Sequence, residues 1–109
     1  MPVSPPERED RTAGRGSVLR LVVRNHAGVM SHVCGLFARR AFNVEGILCM
    51  PVGDGTRSVV LLLVADDRRN AQIVAQLRKL EDVVDVHPDP EARSTFDAVA
   101  RYVQPAAPG

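Results

Sequence analysis

Residues 24–49 read RNHAGVMSHVCGLFARRAFNVEGILC and decide the fold of this chain. A four-residue loop, Asn25 to Gly28, precedes apolar residues spaced as on one face of a helix: Val29, Val33, Leu36 and Phe37. The first N–H groups of a helix have no partner within it, and its N-terminus is the positive end of the helix dipole. The sequence therefore predicts a site for a small anion, a carboxylate or a phosphate, where this loop meets the helix.

The segments on either side of this stretch predict strands. In residues 18–24 large apolar side chains alternate with polar or smaller ones, which is the pattern of a half-buried strand. Residues 42–51 predict a second strand, and the sequence GDGT at 53–56 supplies the chemistry of a hairpin turn. Residues 58–65 are almost continuously apolar, so we expect a third strand that is buried on both faces.

A second helix and a fourth strand complete the pattern. Residues 69–80 carry apolar side chains at helical spacing, Asp66 or Asp67 is expected to cap that helix, and residues 83–87 predict a short strand. The order βαββαβ predicts an α+β, ferredoxin-like fold with two helices on one face of a four-stranded antiparallel sheet. Because these helices leave the other face bare, we expect a second copy to cover it, as a homodimer.

The chain divides into three parts. Residues 1–16 are poor in large apolar groups and rich in proline, glycine and charge, which predicts a flexible tail. Residues 17–88 form the folded domain, and residues 89–109 form an extension with a short helix. The apolar residues of that helix would cover the domain's own surface or contact a partner protein, and we favour the first: Phe96, Val99, Ala100 and Val103.

Composition excludes several classes of protein. A chain of 109 residues with a formal charge of +1 is one domain without the electrostatic footprint of nucleic-acid or membrane binding. No apolar run is long enough to span a bilayer, and the N-terminus lacks the apolar centre of a secretory signal. The two cysteines, Cys34 and Cys49, do not suggest a disulfide scaffold. We therefore expect a cytoplasmic protein.

The residues do not predict catalysis or metal binding. The carboxylates fall at turns and helix ends, where they serve as caps or solvated surface: Asp54, Asp66, Asp67, Glu81 and Asp82. His26, His32 and Cys34 could suggest a metal, but His32 and Cys34 would point in different directions from a helix. RNA-binding modules of this fold need aromatic residues on the central strands, and the third strand has none.

Residues 25–49, from Asn25-His26-Ala27-Gly28-Val29-Met30 onward, resemble the ACT domain of the small regulatory subunits of acetohydroxyacid synthase, in particular the short form of isozyme I. The resemblance continues through Leu61-Leu62-Leu63-Val64 and Lys79-Leu80-Glu81-Asp82-Val83-Val84. ACT domains often carry an acidic residue and a proline in this loop. Here Asn25 stands at the acidic position, which is usual for this branch, and Ala27 stands at the position of the proline.

The resemblance implies a regulatory subunit without catalytic residues. It would bind a branched-chain amino acid, with valine as the first candidate, activate a large catalytic subunit and make that subunit sensitive to feedback inhibition. The catalytic subunit would hold thiamine diphosphate, magnesium and FAD, and this chain would hold none of them. The ligand-binding residues would come from the loop and from the second strand of another protomer: Asn25, His26, Ala27, Gly28, Val29, Met30, Asn43, Val44 and Ile47.

Another class of function remains open at this point. A free-standing ACT-type amino-acid sensor could act on a different enzyme or regulator with the same loop. A small enzyme of the ferredoxin-like fold is a third reading, which turnover by the isolated chain would support.

Overall fold

The computed structural model describes residues 16–65 and 69–104, and its elements follow the predicted order with an additional helix at the end. The predicted caps Asp66 and Asp67, and the predicted tail apart from Gly16, lie outside the described residues. The elements are β1 (Ser17–Arg24), α1 (Val29–Arg39), β2 (Val44–Val52), β3 (Arg57–Val64), α2 (Asn70–Arg78), β4 (Val83–Pro88), a 3-10 turn (Pro90–Ala92) and α3 (Arg93–Val103).

The four strands form one antiparallel sheet in the order β2-β3-β1-β4. At one end of the sheet Ser17 pairs with Val64, which also pairs with Val44. At the other end Arg24 pairs with Arg57. The predicted split βαβ topology is confirmed, and the loop after Arg24 leaves the sheet at the end opposite to the start of β2.

The main core lies between the sheet and the helices α1 and α2. The alternation predicted for β1 is confirmed, because Leu21 and Val23 are completely buried on this face. Ile73 and Leu77 of α2 are also completely buried, since they recur at helical spacing on the side that faces the sheet. This core fixes α1, and with it the loop that precedes α1, against the end of β1.

Helix α3 packs on the opposite face of the sheet. Phe96 and Ala92 are buried there with Val18, and the half-buried side chains packed against them are Leu48, Leu61 and Leu63. The expectation of an uncovered second face is therefore wrong in the region of α3. The short helix predicted in the extension has eleven residues, because the sheet supplies the apolar partner that a short helix needs.

Burial along β3 corrects the expectation that the strand is buried on both faces. Completely buried and half-buried residues alternate, with Val60 and Leu62 facing the main core and Leu61 and Leu63 facing α3. The reason is that α3 is a single helix and covers its face less fully than α1 and α2 cover theirs. None of the helices in the described ranges is long and apolar enough to cross a membrane.

Strand β2 begins two residues later than predicted and contains an irregularity. Ala41 has a left-handed backbone with φ of 58°, and Phe42 then turns its ring edge onto Phe37, with ring centroids 6.0 Å apart. The register with β3 shifts between Val44 and Gly46. As a result Val44 and Ile47, which pair with core-facing residues of β3, lie on the same face although they are three positions apart.

A candidate ligand site at the loop between β1 and α1

Gly28 gives the loop its conformation. Its φ of 92° and ψ of −15° are left-handed, and a Cβ atom on it would meet nothing within 4 Å. The glycine is therefore needed for its backbone angles and not for lack of space. No side chain caps the start of α1, and no acidic residue stands in its first turn. The helix dipole and the amides of this first turn can therefore act on a bound anion.

Asn25 attaches the loop to the hairpin between β2 and β3. Its Nδ2 donates to the carbonyl oxygen of Gly55 at 2.8 Å, and its backbone N–H donates to the carbonyl of Thr56 at 3.0 Å. The hairpin is itself fixed, because Asp54 accepts hydrogen bonds from the backbone N–H and the hydroxyl of Thr56, which lower the pKa of Asp54. This arrangement leaves Oδ1 as the acceptor end of the Asn25 side chain.

His26 attaches the loop to the segment before β4. Its Nε2 lies 2.7 Å from Oδ1 of Asp82, and its Nδ1 lies 2.6 Å from the carbonyl oxygen of Ala27. The hydrogen bond with Asp82 raises the pKa of His26 and lowers the pKa of Asp82. His32, in the first turn of α1, places Nδ1 3.7 Å from the other oxygen of the same carboxylate.

The expectation that Asp82 is solvated surface is wrong. Its side chain is 14% exposed, and its carbonyl oxygen accepts a hydrogen bond from the backbone N–H of Arg24 at 2.9 Å. Nothing close to Asp82 in the sequence indicates this role. It arises because β4 lies beside β1 in the sheet, so that the start of β4 meets the end of β1.

The predicted residues of the second strand lie far from the loop within one chain. Asn43 precedes β2, where its carbonyl accepts from Ala65 and its Nδ2 lies 3.5 Å from Oε2 of Glu45. The seven-residue step along β1 separates this end of the sheet from the loop by about 23 Å. Ile47, 41% exposed, lies on the edge strand. One chain does not bring these residues together with Gly28.

The remaining candidate chemistry is sparse in the residues that the structure describes. Within them no three His, Cys, Asp or Glu side chains are placed to hold a metal ion. Cys34 and Cys49 are exposed free thiols. An open groove of about 690 Å³ lies between β2 and α3, where Gly46, Leu63 and Phe96 contribute to its lining.

Comparison with known proteins relates this geometry to one family. A model of the AHAS small subunit-like ACT domain matches residues 19–85. The acetolactate synthase isozyme 1 small subunit of Escherichia coli K12 is 55% identical over 87 residues, which are 80% of this chain and 91% of that protein. The acetolactate synthase small subunit of Haemophilus influenzae is 40% identical over 70 residues, which are 63% of this chain and 43% of that protein.

A solved structure gives the same relationship. The small subunit of acetolactate synthase from Thermotoga maritima superposes with a TM-score of 0.64 and 37% sequence identity. The match covers 70% of this chain and 48% of that one.

Proposed function

The chain belongs to the family of AHAS small subunit-like ACT domains, and on that premise we propose that it is the regulatory subunit of an acetolactate synthase. In this role it binds a branched-chain amino acid, with valine as the first candidate, and works in the cytoplasm beside a large catalytic subunit. It activates that subunit and makes it sensitive to feedback inhibition. Thiamine diphosphate, magnesium and FAD belong to the catalytic subunit.

The observation that carries the ligand assignment is the form of the loop itself. Gly28 holds a left-handed backbone at an uncapped helix start, while Asn25 and His26 tie the loop to two different parts of the sheet. A loop fixed from both sides presents its amides to a ligand without first having to be ordered. We assign the carboxylate of the amino acid to the backbone N–H groups of Gly28, Val29 and Met30. The Val29 N–H makes a long hydrogen bond of 3.4 Å to the carbonyl of His26, which the ligand carboxylate would share or replace.

The other half of the ligand fits the remaining groups. The ammonium of the amino acid can donate to Oδ1 of Asn25, since Nδ2 of the same amide is engaged with Gly55. His26 and Ala27 complete the loop without facing the ligand, because the His26 ring contacts Asp82 and the Ala27 carbonyl. We assign the ligand side chain to Asn43, Val44 and Ile47 of a second copy of the chain.

The distance along the sheet supports a second copy in each site. Val44 and Ile47 share one face, the same face that α1 covers, but they lie at the far end of the strands from Gly28. A symmetric dimer that places the edge strand of one copy beside the loop of the other would form two equivalent sites. We therefore propose a homodimer in which each pocket contains residues of both copies.

Pocket chemistry alone gives limited selectivity. Burying an isopropyl group is worth roughly 1.5–3 kcal/mol, which separates valine from alanine. The difference of one methylene between valine and its larger homologues changes the affinity by a smaller factor. We name valine first because the family resemblance implies it, and not because the pocket excludes leucine or isoleucine.

Reconstitution with the catalytic subunit tests this function. We expect the wild-type chain to raise the synthase rate and valine to lower it again. Gly28→Asp should still activate but should respond at least about tenfold more weakly to valine, because a carboxylate at this position repels the ligand carboxylate. The measurement is synthase rate against valine concentration.

Gly53→Asp is the matched control. Gly53 also has a positive φ, 59°, with open space around its Cβ position, but it lies in the hairpin turn and not at the helix start. Gly53→Asp therefore adds the same charge at another glycine of positive φ, and its inhibition curve should remain that of the wild type. A wild-type curve for Gly28→Asp would refute the ligand assignment. Valine binding without activation of any synthase would favour a free-standing sensor.

A further inference from the structure

The side chain of His26 is held between two oxygen atoms. Nε2 faces the carboxylate of Asp82 at 2.7 Å, and Nδ1 faces the carbonyl of Ala27 at 2.6 Å. A neutral imidazole has one N–H and can donate to one of these oxygens, whereas the imidazolium donates to both. The geometry therefore selects the protonated form of His26. When the proton is lost, one of the two contacts becomes a repulsion between lone pairs.

We propose that Asp82 is a positioning residue that fixes the loop of residues 25–28 through protonated His26. Binding of the amino acid then depends on whether His26 carries its proton. This inference rests on the proposed function, because it concerns the affinity of the same site. Asp82 itself does not touch the ligand in this scheme. Its role is to hold the loop in the conformation that presents the amides of Gly28, Val29 and Met30.

Asp82 is placed to do this because it contacts three elements around the loop. Its carbonyl accepts from the backbone N–H of Arg24 at the end of β1, one carboxylate oxygen meets His26, and the other lies 3.7 Å from Nδ1 of His32 in α1. The loop and the first turn of the helix thus share one carboxylate, and the backbone of the same residue is held to the strand end. Loss of the carboxylate charge would loosen the contacts to His26 and His32 together.

The charged groups that act on His26 are Asp82, which precedes β4, and Arg24 on β1. His32 on α1 acts on the same Asp82 carboxylate, and Asp54 and Arg57 belong to the hairpin that Asn25 contacts. The hydrogen bonds of His26 with the Asp82 carboxylate and the Ala27 carbonyl outweigh the opposing effects of desolvation and of the Arg24 charge, so the pKa of His26 lies above its ordinary value of 6.5.

Deprotonation of His26 would oppose ligand binding in two ways. The neutral ring can donate to only one of its two oxygen partners, so the loop would lose either the Asp82 or the Ala27 contact and would have to be ordered in part by the ligand. The negative charge of Asp82 would also lose its compensating partner close to the place that the ligand carboxylate occupies. Both effects act in the same direction, so affinity for the amino acid should fall as the pH rises above about 6.5.

The test is calorimetric titration of the full chain with valine, and then with leucine and isoleucine, at pH 6.0 and pH 8.0. For the wild type we expect the dissociation constant to rise about five- to tenfold between these pH values, at the lower end of typical couplings between sites. Asp82→Asn should bind about fivefold more weakly at pH 6.0 and should lose most of the further change. His26→Gln should behave in the same way.

Asp85→Asn is the matched control. Asp85 pairs with His87 at 3.2 Å on the exposed side of β4, so the variant removes an aspartate–histidine pair that does not contact the loop. It should keep the wild-type affinity and pH profile. The NMR titration of the His26 ring supplies a second readout, because its pKa should fall in Asp82→Asn and should stay unchanged in Asp85→Asn.

The outcomes separate this inference from the function on which it rests. If the wild type binds none of the three amino acids, the proposed function fails and this inference fails with it. If the wild type binds valine but its affinity does not change with pH, or if Asp82→Asn and His26→Gln match the wild type, the inference alone is overturned. Should Asp82→Asn not fold, His26→Gln decides, since the His26 side chain is 48% exposed.

Discussion

The two faces of the sheet are covered to very different extents. The face under α1 and α2 carries a large cluster of completely buried residues, among them Leu21, Leu62 and Ile73. The face under α3 has three buried residues, Val18, Ala92 and Phe96, surrounded by half-buried side chains. The first face therefore supplies most of the buried apolar contacts and holds the loop between β1 and α1, whereas the second is a smaller and separate layer.

Two adjacent leucines of β3 test this difference most directly. Leu62 is completely buried under α1 and α2, and its truncation to alanine should cost about 3 kcal/mol of unfolding free energy. Leu61 points to the α3 side and is half-buried, so Leu61→Ala should cost about 1 kcal/mol. Denaturant unfolding of both variants measures the two values. Equal losses would contradict the view that the α3 face is the weaker one.

Gly46 allows the α3 layer to be disturbed without touching the main core. A Cβ atom there would come within 2.8 Å of Cε1 of Phe96, and the backbone angles of Gly46 are not left-handed. Gly46→Ala should therefore lift α3 from β2 at a cost of about 1 kcal/mol. Hydrogen exchange should become faster in residues 93–103 and remain unchanged in α1.

The corresponding substitution on the other side of the molecule is its control. At Gly35 of α1 a Cβ atom would approach only the guanidinium of Arg39, at 3.3 Å, and this long side chain can move away. Gly35→Ala should leave the free energy of unfolding unchanged or raise it by up to about 1 kcal/mol, because alanine favours the helix. A destabilisation as large as that of Gly46→Ala would remove the steric explanation.

The smallest effect we expect is a dependence of thermal stability on pH. It arises on the side of the molecule that carries the loop between β1 and α1. The raised pKa of His26 contributes stability below about pH 6.5 that is lost as the pH rises through the folded value. The lowered pKa of Asp82 contributes stability above about pH 3.8 that is lost as the pH falls. The stability contributed by the His26–Asp82 pair is therefore complete between about pH 3.8 and pH 6.5.

The thermal midpoint of the wild type should therefore fall slightly from pH 6 to pH 8, and that of His26→Gln should fall less. On the other face of the sheet the described ion pairs include Arg20–Asp89, Arg93–Asp97 and the exposed His87–Asp85 pair, and the groups nearest to a Cβ atom at Gly46 belong to none of them. Gly46→Ala should therefore keep the wild-type slope. An unchanged slope in His26→Gln would mean that another group controls the pH dependence.

Much of this architecture follows from local sequence. The spacing of Val29, Val33 and Leu36 predicts α1, the alternation in residues 18–24 predicts β1, and the glycine before the helix predicts the left-handed turn. These features depend on neighbours within a few positions, and periodicity reports them well. The element order then determines the topology, since a split βαβ unit has few alternatives.

The features that sequence could not supply depend on contacts between distant segments. The pairing of His26 with Asp82 needs β4 to lie beside β1, and 56 positions separate the two residues. The shared face of Val44 and Ile47 depends on a register shift that no glycine or proline pattern identifies uniquely. The sequence alone underestimates the length of α3, because a helix this short has little stability by itself. It is stabilised by the surface around Gly46.

The separation of the loop from the start of β2 by the length of a strand has a consequence for how the protein senses its effector. On the proposed arrangement a lone chain contains only half of each pocket, so occupancy depends on the concentration of the protein as well as on that of the amino acid. Diluting the chain below the dimer dissociation constant would weaken the apparent affinity for valine. One site would then respond both to the abundance of the amino acid and to the amount of the regulatory chain that is synthesised.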